Sequence, residues 1–503
     1  MVKFIIRCSK SLRETGGFPE MAGRFLGMFK PLSRFMPEVG APQRGVRFNE
    51  KLFWTGMALV IYLVMCEVPL YGVGLAGGPA LSPLRVIFAS TSGSLMELGI
   101  GPIVTAGLIL QLLAGSGMIE FDQSNPDDRG LFTTASKFLS IIMTGAQASA
   151  YLIGGFYGSI TTVDAVVIFL ELMGAGIIII LLDEMIQKGW GIGSGISLFI
   201  VAGVAKTVVW DSFATWGPMS DGKYFGAIVA FVQTIMAGHP LAGFVARIDT
   251  STGLVDDTLP TMLGFVATIA TFLVVIYCEG VRLELPVSYA DYRGFRGRYP
   301  IKLLYVSNLP VIFAAALFAN IYFIAQFLWT KYNPTNSNFW LNIIGQYTRT
   351  PANSTTITPT GGLAYYVTSP ASIPDVMAAP LRAFVYAAIM VLFCVVFSLT
   401  WLEVGGLDAG TVAKQLVDSG MHIPGFRRSQ KPIEQVLKRY IPVVTVIGGI
   451  IVGVIAAIAN FFGVFGSGMG VLLSVGILYQ YYQLLMQERI VEMYPAMRRF
   501  LGE

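Results

Sequence analysis

The stretch PLRVIFASTSGSLMEL occupies residues 83–98 and runs directly into an apolar segment at 99–115. Its serines, its threonine and Arg85 make it semi-polar, and it is too short to cross a bilayer as a regular span. Such a segment can lie at membrane depth only where protein or a water-filled cavity, rather than lipid, satisfies its backbone. This break in a membrane-spanning pattern therefore predicts a pathway through the protein.

The composition requires a membrane around most of the chain. Of the 503 residues, 54% are hydrophobic and 13% are charged, and no soluble fold could bury so much apolar surface. Runs of the ~17–25 apolar residues that cross the hydrocarbon core predict ten spans, at 52–72, 99–115, 134–157, 164–187, 194–213, 261–280, 303–328, 379–402, 440–462 and 467–487. We therefore predict an all-α, polytopic membrane protein.

Basic residues predict the orientation of these spans. With the N-terminus in the cytosol, 27 of the 34 Lys and Arg residues fall on the cytosolic side, where such residues concentrate. The apolar stretch at 224–237 is too short for a span, and we predict an interfacial helix on the far side. Both termini are therefore expected in the cytosol.

Two glycine motifs suggest internal symmetry. Gly191-Ile-Gly-Ser-Gly195 precedes the fifth span, and Gly466-Ser-Gly-Met-Gly470 precedes the tenth. The topology makes these spans run in opposite directions, which suggests two inverted halves with a pathway at their interface. Chance similarity among glycine-rich membrane helices is the alternative.

The predicted regions are a cytosolic segment with an amphipathic helix at 1–51, an N-terminal half at 52–213, a connection at 214–260, a C-terminal half at 261–487 and a cytosolic tail at 488–503.

Motifs for common enzyme and transport chemistry are absent from the sequence. There is no G-x-x-x-x-G-K-[ST] nucleotide loop and no H-E-x-x-H metal motif, and the two histidines lie in connecting segments. Ion-coupled transport normally requires ionisable groups deep in the membrane, and Glu171 in the fourth span is the one clear case. A carboxylate neutralised by protonation or by a neighbouring helix is a better explanation of Glu171 than an ion site. We predict no enzyme activity and no cofactor.

Four longer motifs resemble the SecY family, and most closely its eukaryotic translocon α subunits. They are FNEKLFWT from residue 48, MELGIGPIVT from residue 96, LDEMIQKGWGIGSGISLF from residue 182 and YPIKLLY from residue 299. The resemblance covers about residues 21–487. It implies a protein-conducting channel of the endoplasmic reticulum membrane, built as a clamshell of spans 1–5 and 6–10 with a central pore, a plug and a lateral gate.

The resemblance also implies roles for individual residues of the pathway. The stretch at 83–98 is expected to be the plug, with Arg85, Ser90, Thr91 and Ser92 as its polar residues. The apolar pore ring is expected to comprise Ile100, Val104, Ile196, Ile200, Ile312 and Leu473. The lateral gate, between spans 2 and 3 and spans 7 and 8, is expected to carry a polar cluster of Thr105, Gln147 and Asn320.

Two basic cytosolic loops are expected to bind the ribosome and its RNA through phosphate contacts that weaken with salt. The residues concerned are Arg282, Arg293, Arg296, Arg298 and Lys302 in the first loop, and Arg427, Arg428 and Lys431 in the second. A basic loop that only sets the orientation is the alternative. The other partners implied are small β and γ subunits that complete a heterotrimer, nascent secretory and membrane polypeptides with signal sequences, accessory translocation factors and membrane lipids.

A secondary transporter of a small solute is the rival hypothesis, because inverted halves also occur in that class. The aliphatic pore ring, the scarcity of charge at the membrane midplane and the large basic loops argue against it.

Overall fold

The computed structural model describes most of the chain, with gaps at both ends and in several connecting segments. The described residues are 36–73, 89–115, 119, 126–154, 156–157, 161–237, 244–248, 259–289, 296–304, 309–349, 357–370, 372–418, 421–422 and 430–493. The amphipathic helix predicted within 1–51 lies outside these ranges.

Each of the ten predicted spans coincides with a helix. The N-terminal half contains α1 (Phe48–Glu67), α2 (Gly101–Gly115), α3 (Pro126–Ile153), α4 (Thr162–Met185) and α5 (Gly195–Phe213), with a π-helical turn, Ile186–Trp190, after α4. A short helix, α6 (Ala227–Met236), lies within the stretch predicted to be interfacial. The span helices of the C-terminal half are α7 (Met262–Gly280), α8 (Leu309–Tyr332), α12 (Pro380–Val404), α14 (Gln430–Phe461) and α15 (Gly468–Met493).

Seven helices within the described ranges are long and apolar enough to cross a membrane. These seven are α4, α5, α7, α8, α12, α14 and α15. Of the other three predicted spans, α2 has only 15 residues, α1 carries charged residues near both ends, and α3 begins with the polar sequence PDDR. The architecture is consistent with ten spans and confirms a mostly helical membrane protein.

Short strands add to this helical framework, although the sequence predicted none. On the side predicted to be cytosolic, β1 (Arg282–Tyr289) pairs antiparallel with β2 (Arg296–Lys302), and β5 (Met421–His422) pairs with the other edge of β1. The two basic loops therefore share one sheet of order β2-β1-β5. Beside it, α13 (Ala409–Asp418) packs on the start of α14 through Val412, Leu437 and their neighbours.

The connection between α8 and α12 forms a second small body. It contains α9 (Phe339–Ile344), the antiparallel pair β3 (Gln346–Arg349) and β4 (Ile357–Gly361), α10 (Gly362–Val367) and α11 (Ile373–Ala378). Buried Tyr347 packs against Tyr322 and Trp329 of α8, which ties this body to the end of that helix.

The two glycine motifs form equivalent turns, each capped by a side chain from the preceding span. Before α5, the Ile196 N–H donates to Asp183 Oδ1 at 3.0 Å. Before α15, the Gly468 N–H donates to Asn460 Oδ1 at 2.7 Å. The first N–H groups of a helix have no partner within it, so each cap satisfies a donor that lipid could not. The repeated arrangement supports the inverted halves inferred from the motifs.

Candidate pore, plug and lateral gate

One hydrophobic cluster contains all six residues of the predicted pore ring. Ile100, Val104, Ile200 and Leu473 are buried within it, and Ile196 and Ile312 are half-buried against it. Ile100 immediately precedes α2, Val104 lies in α2, and the others come from α5, α8 and α15, so both halves contribute. All six side chains thus belong to the main apolar core of the helix bundle, where aliphatic groups exclude water without polar contacts.

A side-chain hydrogen bond joins the two sides of the predicted gate. Asn320 Nδ2 on α8 donates to Thr105 Oγ1 on α2 at 3.1 Å, and also to the Ala316 carbonyl one turn earlier on its own helix at 2.8 Å. Gln147 on α3 is half-buried and, within the described part of the chain, forms no hydrogen bond with either residue. The structure therefore joins two of the three predicted gate residues.

A small pocket lies beside this contact, where α2, α8 and α12 meet. Gln111 of α2 lines it with Phe313 of α8 and with Phe397 and Trp401 of α12. The buried Gln111 Oε1 accepts no hydrogen bond from the residues that the structure covers. The gate helices therefore leave a small gap in their packing at this point.

The predicted plug is described from residue 89 onward, and this part is a tight series of turns. The Ser90 hydroxyl donates to the Glu97 carbonyl, the Thr91 N–H donates to the Met96 carbonyl at 3.0 Å, and the Gly93 N–H donates to the Glu97 carboxylate. Ser92 has a buried hydroxyl without a hydrogen-bond partner among the described residues. Arg85 lies outside them.

Backbone contacts connect this segment to the end of α1. The Leu70 N–H donates to the Gly93 carbonyl at 2.9 Å, and the Leu95 N–H donates to the Val68 carbonyl at 3.0 Å. Higher on α1, the Tyr62 hydroxyl donates to the Ala89 carbonyl at 3.1 Å. The segment is thus bonded to α1 through Ala89, and to the residues that follow α1 through Gly93 and Leu95.

The sheet of order β2-β1-β5 carries part of the predicted basic surface. Arg282 donates to the Tyr479 hydroxyl at 2.9 Å, and the Lys302 ammonium lies over the same ring, 5.5 Å from its centroid. Arg298 is exposed and pairs with Glu284 on the opposing strand. Two of these three cations are therefore oriented by α15, the helix that also contributes to the pore ring.

Only some of the other residues of the basic surface lie within the described ranges. Arg296 begins β2, and Lys431 is exposed at the start of α14. Burial raises the pKa of the neighbouring Tyr299 phenol, so this side chain remains neutral and does not offset the positive charge. The remaining predicted residues, Arg293, Arg427 and Arg428, lie outside the described ranges.

A buried ion pair that we did not predict from the sequence lies in the connection between the halves. Arg247 and Asp221 are each almost fully buried and form two contacts, Nε to Oδ2 at 2.7 Å and Nη2 to Oδ1 at 2.9 Å. Arg247 also donates to the Tyr224 and Phe225 carbonyls at 2.7 Å. Both residues lie in polar loops distant in sequence, so no local pattern predicts their contact.

Among the described residues, no group of three or more His, Cys, Asp or Glu side chains is arranged to hold a metal ion.

Comparison with known families matches nearly the whole chain. A family model described as SecY matches residues 94–482, and a second, described as the plug domain of Sec61p, matches residues 60–93. The second match overlaps the predicted plug and extends back into α1.

Individual relatives span almost the same length. The chain is 42% identical to the protein translocase subunit SecY of Pyrococcus furiosus, over 94% of this chain and 98% of the relative. It is 40% identical to the Sec61 subunit alpha of Dictyostelium discoideum, over 93% and 98% of the two chains.

Two solved structures have the same fold. One, described as a protein-conducting channel, superposes with a TM-score of 0.77 at 39% identity and covers 93% of this chain and 98% of its own. The other, Sec61 in the canine ribosome-channel complex from the endoplasmic reticulum, has a TM-score of 0.74 at 39% identity with the same coverage. On these grounds, the chain belongs to the SecY family.

Proposed function

We propose that this chain is the pore-forming subunit of a protein translocation channel in the endoplasmic reticulum membrane. It passes unfolded secretory polypeptides across the bilayer and releases apolar segments sideways into lipid. The observation that carries this proposal is the match of 93% of the chain to a solved protein-conducting channel. The six aliphatic residues of the predicted pore ring agree with it, because all of them lie in or against one apolar cluster to which both halves contribute. Relatives of similar length, one named as a protein translocase subunit and one as a protein transport protein, support it.

The pore ring acts as a seal that deforms around its substrate. An aliphatic constriction repels water when it is empty. Aliphatic side chains change rotamer without breaking hydrogen bonds, so Ile200, Ile312 and their neighbours can adapt to a threaded chain of any sequence. We therefore assign the six predicted residues to the constriction and residues 89–98 to the described part of the plug.

The lateral gate opens because the free energy that a signal sequence gains in lipid exceeds the free energy needed to break the hydrogen bond between the gate helices. A segment of ~20 apolar residues gains ~6–12 kcal/mol, at 0.3–0.6 kcal/mol per residue. The gate contact between Asn320 and Thr105 is of a kind that contributes about 0.6 kcal/mol on average and at most ~1.7 kcal/mol in membrane proteins. Partitioning can therefore proceed without nucleotide hydrolysis by this subunit, which acts as a channel and not as an enzyme.

Forward movement requires a partner, and the cytosolic surface fits a ribosome. Arg282, Arg298 and Lys302 lie on one sheet, which contacts α15 through Tyr479, and they can bind RNA phosphates. The chain acts as the α subunit of a heterotrimer with small β and γ subunits. Its other partners are accessory translocation factors and membrane lipids.

Reconstitution of the complex into liposomes tests this function. Ribosomes carrying a stalled secretory chain are added, and protection of the chain from protease is measured beside a matched chain whose signal carries two arginines. We expect protection of the first chain only. Absence of protection, together with saturable uptake of a small solute, would favour the transporter hypothesis instead.

A further inference from the structure

The chain leaves α1 beside a carboxylate of the neighbouring helix α4. Helix α1 ends at Glu67, and the Tyr71 N–H donates to Glu171 Oε2 of α4 at 3.0 Å. Glu171 lies nine residues after Thr162, where α4 begins, which is ~13 Å along the helix at 1.5 Å per residue. A backbone N–H outside a helix requires a hydrogen-bond partner wherever water is scarce. Glu171 supplies that partner for Tyr71.

This hydrogen bond continues a short row of contacts at the base of the plug. The Leu70 N–H reaches the Gly93 carbonyl, and the Leu95 N–H reaches the Val68 carbonyl, which closes the chain on itself. These two bonds join the residues that follow α1 to the plug, and neither bond involves another helix. The bond from Tyr71 to Glu171 joins that closed base to a different helix.

A side-chain oxygen suits this position better than an apolar side chain. A backbone N–H that loses its acceptor in a site with little water is destabilising. The half-buried Glu171 therefore has a role that requires neither an ion nor a cationic partner.

We propose that Glu171 is a positioning residue for the plug, which fixes residue 71 against α4 so that residues 89–98 stand over the pore ring. The inference rests on the proposed function, because it assigns Glu171 to the closed state of that channel. Loss of the anchor shifts the base of the plug and weakens the seal, although Glu171 is not itself one of the six residues of the pore ring.

The structure allows the bond to be removed from either side. Glu171→Leu removes the acceptor, and Glu171→Gln keeps a carbonyl oxygen in its place. Tyr71→Pro removes the donor and suits the local backbone, because the Val73 N–H closes a turn onto the Leu70 carbonyl at 3.1 Å and Gly72 has φ of 70°. That geometry is a type II turn, in which proline is favoured at the second residue. Glu67→Gln is the matched control, since it alters a nearby carboxylate that pairs with Lys206.

Two measurements on the intact complex separate this inference from the proposed function. Deuterium exchange of the peptide containing Leu95 should accelerate about tenfold in Glu171→Leu and in Tyr71→Pro, and the double variant should exchange no faster than either single one. Ion conductance in planar bilayers should rise in the same variants. Glu171→Gln and Glu67→Gln should match the unaltered chain in both measurements.

Each outcome decides one of the two claims. Unchanged exchange and conductance in Glu171→Leu, in a complex that still translocates a secretory chain, would overturn the positioning role alone. Equal effects of Glu171→Gln and Glu171→Leu would also overturn it, because the retained acceptor would then be irrelevant. Accelerated exchange in a complex that never protects a secretory chain would support the contact and refute the proposed function.

Discussion

Removal of the hydroxyl at Thr105 is expected to make the lateral gate easier to open. Thr105→Val keeps the shape of the side chain and removes the acceptor that lies 3.1 Å from Asn320 Nδ2. The contact contributes about 0.6–1.7 kcal/mol to the closed gate, so its loss shifts the opening equilibrium by ~3- to 18-fold at RT of about 0.59 kcal/mol. Because each leucine of a signal contributes up to ~0.6 kcal/mol, the variant should accept a signal shortened by about one to three leucines.

A series of reporters with graded signal hydrophobicity measures this effect. Translocation is scored by protease protection in reconstituted vesicles, and the number of leucines needed for half-maximal protection is compared between variants. Thr445→Val is the matched control, since its buried hydroxyl bonds within its own helix, to the Ile441 carbonyl at 2.9 Å. A Thr105→Val complex with an unchanged or higher leucine requirement would refute the assignment of this hydrogen bond to the gate.

Three further predictions concern the seal, the connection between the halves and the cytosolic surface. Joint replacement of Ile200 and Ile312 by glycine should raise ion leak in planar bilayers, and unchanged conductance would contradict the pore-ring assignment. Asp221→Asn leaves a buried arginine without its ionic partner, so unfolding should become easier by ~3–5 kcal/mol; a melting temperature within a degree of the unaltered chain would count against this. Arg282→Ala should weaken ribosome binding, and the dependence of its log K on log salt concentration should fall by about the value of one phosphate contact. An unchanged salt dependence would show that the RNA binds elsewhere on the protein.

Hydrophobic patterning predicted the spans because their apolar length is a local property of the sequence. Each of the ten predicted stretches coincides with a helix, and the glycine motifs at 191–195 and 466–470 mark equivalent helix starts. The strands of the cytosolic loops were missed because their alternation is weak and their basic residues favoured a different interpretation. The pairing of β1 with β5 joins residues more than 130 positions apart, which no local pattern encodes.

Side-chain partners across helices account for the rest of the difference. Glu171 was recognisable in the sequence as a carboxylate within a span, but its partner is a backbone N–H that becomes available only because α1 ends at Glu67. The caps supplied by Asp183 and Asn460 likewise depend on how one helix meets the next. Such contacts depend on tertiary packing, so the sequence could indicate the residue without its role.

Photocrosslinking from the pore ring tests the central claim most directly. A photoreactive residue is placed at Ile312, and a matched probe is placed at Val454 on the exposed face of α14. The account predicts that a ribosome-stalled secretory chain in microsomes crosslinks to the probe at Ile312 and not to the probe at Val454. Equal labelling at both positions, or none at either, would contradict passage of the polypeptide through the proposed constriction.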